Sequence, residues 1–290
     1  MLGVELQDHT ARAVAIDEQG RVTASALVDA ADSLAAAAGA AVTKVATRSE
    51  DGPLGVATFN PEAPAVAEIL AGFAGRDVPP ALPSGGAAAI AEAWVGAAGG
   101  VQNVAYFAVG EHTVGGIIRD GQLMIGAHGR AGSVAWLALN PVEREDYRKI
   151  GCLEAEVAAA GIVRRLVWRI KAGDHSRVAE IVDNDFAKIT IEHVLTAARS
   201  GDGVSISVMR DTAKYLGMAA ANLVVLTDPE MLVLGGVMAD AADLMLEPVR
   251  AEIARRLPRP MLDALAIVPA TLGADAAAIG AARHAASARR

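Results

Sequence analysis

Residues 201–236 read GDGVSISVMRDTAKYLGMAAANLVVLTDPEMLVLGG. Met209, Ala213, Leu216, Ala220 and Leu223 recur every three or four positions, which places them on one apolar face of a long helix within a mainly helical stretch from Ile191 to Leu226. Asp228-Pro229 is a turn signal, because the residue before a proline avoids right-handed helical geometry. MLVLGG then reads as a short buried strand ending in two glycines, with a further helix running to about Leu257. Helix, turn, buried strand and helix in this order are the signature of an α/β layer.

The same alternation extends outward in both directions. Toward the C-terminus, ALAIVPA is a late strand leading into a last helix from Asp275. Toward the N-terminus, residues 152–172 read as helix, GGIIRDGQLMIG as a hairpin around Asp120-Gly121, and VAYFAVG as a buried strand. At the start, GVELQDHTARAVAIDEQGRV alternates apolar and polar residues around a turn at Asp17-Glu18-Gln19-Gly20, so the chain opens with paired strands. Asp29 to Ala41 reads as helix, 51–64 as irregular structure around a short strand, and 65–75 as helix. Strands followed by helices, twice over, predict an α/β fold with two lobes, and no repeat of 20–50 residues is visible.

A chain of 290 residues with 53% hydrophobic content can bury a substantial core. The net charge of −8 argues against a phosphate-backbone surface, and 3% aromatic residues argue against base-stacking platforms, so no direct nucleic-acid contact is expected. One cysteine makes no internal disulfide. The opening MLGVELQDHT has neither the basic region nor the apolar stretch of a signal peptide, and no apolar run reaches membrane-spanning length. A cytoplasmic protein without membrane contact is the expectation, its AARHAASARR tail a frayed helix end.

Residues 201–236, together with LGADAAAIGAA at 272–282, GGIIRDGQLMIGAHGRAGS at 115–133 and IGCLE at 150–154, resemble the ROK family, which joins repressors, uncharacterised reading frames and sugar kinases. The resemblance covers nearly the whole chain and is weak between residues 30 and 80. It implies a two-lobed actin-like ATPase (ribonuclease H-like) fold with a cleft between lobes. The expected division is residues 1–105 plus 275–290 as the smaller lobe and 106–274 as the larger.

The resemblance also assigns chemistry to positions. Family kinases carry Asp, a variable residue, then Gly-Gly-Thr in the first phosphate turn, where this chain has Glu5, Leu6, Gln7, Asp8 and His9. Their second phosphate loop, a Gly-Thr-Gly followed by further glycines, corresponds to Gly110, Glu111, His112, Thr113, Val114, Gly115 and Gly116. The nucleotide is implied near Gly235 and Gly236, whose bland alternative is a tight strand-to-helix turn. The catalytic Asn-Asp is replaced by Pro83 and Ser84 when the helix is registered on Glu92. Serine is no base near neutral pH without an activating partner, and losing a general base costs on the order of 10² to 10⁴ in rate; Ser84 reads more simply as a helix N-cap.

At the implied sugar site, Ser133 and Trp136 replace the family's glutamate and histidine, while Glu154 matches its later sugar-contacting glutamate. The plain alternative for Glu154 is a solvated acid in a helix's first turn. The zinc knuckle maps onto Glu145, Tyr147, Cys152 and Trp136, and one thiol with one carboxylate does not make a tetrahedral zinc site, so no zinc is expected. His175, His193 and Asp275 read as surface or helix-end residues, and Glu143–Lys149 as a solvated charged loop.

Three functions follow as expectations. The first is a ROK-like protein without kinase catalysis, binding a sugar-like ligand or acting as a regulatory or scaffold protein through a partner or its own copies as a homodimer or larger oligomer. The second is an ATP- and magnesium-dependent hexose kinase with a rearranged site. The third is transcriptional regulation; the chain begins directly on its first strand rather than on a helix-turn-helix, so such a role would act through a partner.

Overall fold

The structure is a computed structural model that describes residues 1–31, 33–46, 52–73 and 75–288. Among the described residues, ten strands form two five-stranded sheets. The first contains β1 (Leu2–Leu6), β2 (Thr10–Ile16), β3 (Val22–Asp29), β4 (Leu54–Thr58) and β5 (Leu82–Pro83) in the order β3-β2-β1-β4-β5. The second contains β6 (Val104–Val109), β7 (Thr113–Arg119), β8 (Gln122–Leu123), β9 (Met231–Gly236) and β10 (Ala266–Pro269) in the order β10-β9-β6-β7-β8. In each sheet the first strand pairs antiparallel with the second, which pairs antiparallel with the third, and parallel with the fourth, which pairs parallel with the fifth. The two-lobed α/β expectation is met, and one topology is used twice. That repeat spans far more than 50 residues and joins stretches of unlike sequence, which is why scanning at short periods misses it.

Strand readings hold at β4, β6, β9, β10 and the β7–β8 hairpin, where Asp120 and Gly121 both take positive φ. The opening turn at 17–20 connects β2 to β3, with Asp17 Oδ1 accepting from the amides of Gln19 and Arg21. The predicted helix over 29–41 is displaced: β3 continues to Asp29 and helix α1 is Leu34–Val45, capped by Ser33, whose hydroxyl accepts from Ala36 N. Helix α2 is Pro64–Gly72; the predicted extension to 75 crosses Ala74, and the predicted irregular stretch starts at Asp51, both outside the described residues, as are Arg289 and Arg290 of the tail.

Helix α3 (Ser84–Trp94) follows β5, and the chain continues after β8 with α4 (Glu145–Ile150), α5 (Cys152–Val157), α6 (Ala159–Lys171), α7 (Arg177–Ile181), α8 (Ile191–Arg199), α9 (Gly203–Thr227), α10 (Val237–Asp240), α11 (Ala242–Ala254) and α12 (Arg259–Ala264). The predicted charged loop at 143–149 is thus largely helix α4, which buries Tyr147. The long helix α9 buries its anticipated face against α11 and strand β6, around fully buried Phe107, Leu216 and Leu234. It ends at Asp228 in the left-handed region, a conformation the aspartate tolerates before Pro229.

The last helix, α13 (Ala276–Ser287), returns to the first sheet and packs on β1, β4 and α3. Its alanine-rich face permits backbone-level contact. A Cβ on Gly3 or Gly55 would lie 1.9 Å from a carbonyl oxygen of α13, and one on Gly280 would lie 1.7 Å from Ala87 O of α3. The abundance of alanine and glycine in α3 and α13 therefore reflects close packing rather than local propensity alone. No helix among the described residues is long and apolar enough to cross a membrane.

Candidate active site and cleft

Helix α3 lies between the sheets, touching β7 and β6 on one side and α13 on the other. Its N-terminus approaches the second sheet closely: a Cβ on Gly85 would be 2.3 Å from Gly115 O, and one on Gly116 would be 2.3 Å from Gly85 O. Beside this contact opens a cleft of about 1100 Å³. Ser84, Gly115, Ser133 and Glu154 all line it, so four of the eight anticipated site residues converge.

Gly110, Gly116, Gly235 and Gly236 do not line the cleft. Gly235 and Gly236 have internal reasons for being glycine: a Cβ on Gly235 would meet the Tyr106 hydroxyl at 2.6 Å, and one on Gly236 would meet Val109 O at 2.0 Å. Gly236 also takes φ +60, turning β9 into α10. The tight-turn reading thus accounts for this pair. Gly116 is required by the α3 contact, and Gly115 by the side chain of Val134 and the carbonyl of Gly132. Gly110 has open space around it.

Ser84 is not the N-cap. Pro83 holds that position, Ser84 is the first helical residue, and its buried hydroxyl interacts with the Glu5 carboxylate, favouring its charged form. Glu5 lies on β1; burial raises its pKa, opposed by the hydrogen bonds of Ser84 and Gln7 and the charge of Arg12. Gln7 donates from Nε2 to Glu5 Oε2 at 3.3 Å.

Glu154 is not a solvated acid either. It is buried, its Oε2 accepts from Thr113 N at 2.8 Å, and its Oε1 lies 2.9 Å from His112 Nδ1. The other ring nitrogen, Nε2, lies 3.2 Å from Asp8 Oδ2. The Asp8 contact is a charge contact more than a directed hydrogen bond, since Nε2 has no partner of good hydrogen-bond geometry. Phe59 stacks on the imidazole with centroids 3.9 Å apart. Burial pulls this imidazole toward its neutral form, yet the hydrogen bond and charge of Glu154 and the charge of Asp8 outweigh it and push its pKa up to about 9. His112 is therefore a cation at neutral pH, held between one carboxylate from each sheet's side of the cleft.

Asp8 stands in the β1–β2 turn and His112 in the β6–β7 turn, the two turns that the resemblance assigns to phosphate. Sequence reading registered both as glycine replacements without pairing them; their opposite charges were the available signal. Glu111 is exposed, so it is His112 that occupies the space between the turns. A second pair crosses the rim, where Arg130 Nε and Nη2 reach Glu62 Oε1 and Oε2 at 3.2 and 2.7 Å.

The knuckle positions are used otherwise. Cys152 is buried against Tyr147 and Ala155, the Tyr147 hydroxyl donates to Glu156 Oε1, Glu145 pairs with Lys149 on the surface, and Trp136 projects into the cleft while 55% exposed. These residues do not fit a tetrahedral zinc, and among the described residues no group of three or more His, Cys, Asp or Glu side chains is arranged to hold a metal.

Two sheets of one topology around a cleft make a two-lobed actin-like fold, and comparisons agree. The sequence profile of the ROK family matches residues 86–288, and the chain belongs to the ROK family. It is 34% identical over 196 residues to a glucokinase of Halalkalibacterium halodurans, covering 67% of this chain and 59% of that protein. It is 33% identical over 176 residues to a xylose repressor of Caldicellulosiruptor bescii, covering 59% of this chain and 42% of the repressor. The chain thus aligns with about three fifths or less of the length of these relatives. A ROK family glucokinase from Streptomyces griseus, solved with glucose and AMPPNP, superposes with a TM-score of 0.84 at 24% identity over 99% of both chains, a likeness of fold.

Proposed function

We propose that this chain is a ROK protein whose cleft binds a sugar-like ligand and whose residues do not carry phosphoryl transfer to it. One observation supports this most: the position where the family places its catalytic carboxylate holds Ser84, a buried hydroxyl that interacts with buried Glu5. Phosphoryl transfer needs room for phosphates and a group that orients or deprotonates the attacking hydroxyl. Here His112 fills the space between the two turns and Glu154 is engaged with His112 and Thr113. The lobes would divide as 1–105 with 275–290, and 106–274. Output would pass through a protein partner or a second copy of the chain.

The second reading is an ATP- and magnesium-dependent hexose kinase, and the glucokinase relatives favour it. In that case Ser84 would relay the substrate proton to Glu5, whose raised pKa suits a base better than an ordinary carboxylate would. Coupled ATP-turnover assays with a hexose panel and magnesium decide between them. The binding reading expects sugar-dependent thermal shifts without turnover. Sugar-dependent turnover that is lost in Ser84→Ala and Glu5→Gln would establish the kinase.

A further inference from the structure

The cleft has two unlike ends. Its inner end is polar: Ser84 and Glu154 are both buried there. Its solvent side carries an apolar group beside polar residues such as Asn60, Arg130 and Lys149. Trp136, Ile150 and Ile125 all line the cleft while 55%, 46% and 46% exposed.

These three are brought together by backbone geometry rather than left over. Gly151 takes φ +100, and a Cβ there would lie 2.3 Å from Ala135 O and 3.2 Å from Trp136 N, so the α4–α5 junction is pressed onto the 134–136 turn and sets Ile150 beside Trp136. Ile125 is held by its carbonyl, which accepts from Ala131 N at 3.1 Å in the loop that leads to that turn. Large apolar side chains grouped around a cavity gain from being covered, because removing their surface from water is favourable. A cleft of about 1100 Å³ that reaches neither Gly235 nor Gly236 also has far more room than one hexose fills.

We propose that the ligand is a hexoside carrying an apolar substituent, its sugar hydroxyls over Ser84 and its alkyl or aryl group against Trp136, Ile150 and Ile125. This rests on the sugar-ligand reading above and names the class within it. The probes are glucose and its methyl, phenyl and octyl glucosides in both anomers, titrated calorimetrically into the full chain. Affinity is expected to rise about tenfold or more from methyl to phenyl or octyl in one anomer, as the area buried against the apolar wall increases. Trp136→Ala with Ile150→Ser should remove that gain, and Trp136→Phe should keep most of it. Hexose binding with a flat series would overturn the apolar-substituent proposal alone. No binding by any member would overturn the sugar-ligand reading and this proposal with it.

Discussion

At the residue scale, His112 makes the site pH-dependent in a definite direction. Its pKa is raised from 6.5 to about 9 in the folded chain, so its interactions with Glu154 and Asp8 contribute fully below about pH 6.5 and are lost as pH rises through 9. Wild type should therefore lose about 1–2 kcal/mol of stability between pH 7 and 9.5, less than the full shift implies because Asp8 is solvent-exposed and its pairing is screened. Urea titrations at several pH values should show this slope in wild type and not in His112→Gln. Equal slopes would mean that the imidazole is neutral throughout. The two acids are unequal partners: Glu154→Gln, which disturbs a buried acceptor of a backbone amide, should cost about 1–3 kcal/mol, while Asp8→Asn should cost under about 1 kcal/mol.

At the element scale, α3 and α13 are fastened by Glu92 and by missing side chains. Glu92 is fully buried; its Oε1 accepts from Thr271 N and Leu272 N at 3.0 Å each, and its Oε2 from Ala97 N at 2.7 Å. Glu92→Ala would orphan those amides and should destabilise by about 3–5 kcal/mol in chemical denaturation. Gly280→Ala should also destabilise, because its Cβ would collide with a backbone carbonyl, whereas Gly39→Ala, in the open interior of α1, should stabilise by about 0.5–1 kcal/mol. A destabilised Gly39→Ala would show that α1 needs close approach there.

What could be read beforehand follows from these contacts. Strands such as VAYFAVG and MLVLGG, and the α9 face, were legible because burial imposes a period on them. The end of β3 and the start of α1 were not, since an alanine-rich run satisfies helix and strand edge alike. Ser84 and Glu154, singled out by the resemblance, both line the cleft, but their partners had no local signal in the sequence. Glu5 lies 79 positions from Ser84 and His112 42 positions from Glu154, and no local pattern encodes such pairs.

At the scale of the molecule, the repeated sheet topology sets two lobes against a shared helix, and side chains cross the gap beside the glycine contact of α3 with β7. The Glu62–Arg130 pair is exposed on both sides and holds little. The Asp8–His112–Glu154 array, partly buried and stacked on Phe59, is the stronger link between the two turns. Above pH 9 the imidazole loses its charge and both carboxylates lose their cation, so the turns should separate more often. Hydrogen exchange, corrected for its intrinsic pH dependence, should then show protection at residues 7–9 and 110–113 falling between pH 7 and 10 in wild type. Asp8→Asn should show reduced protection of the same residues already at pH 7. Unchanged protection in both would assign the closure to the glycine contact between α3 and β7, and the cleft would then be held shut by backbone packing rather than by charge.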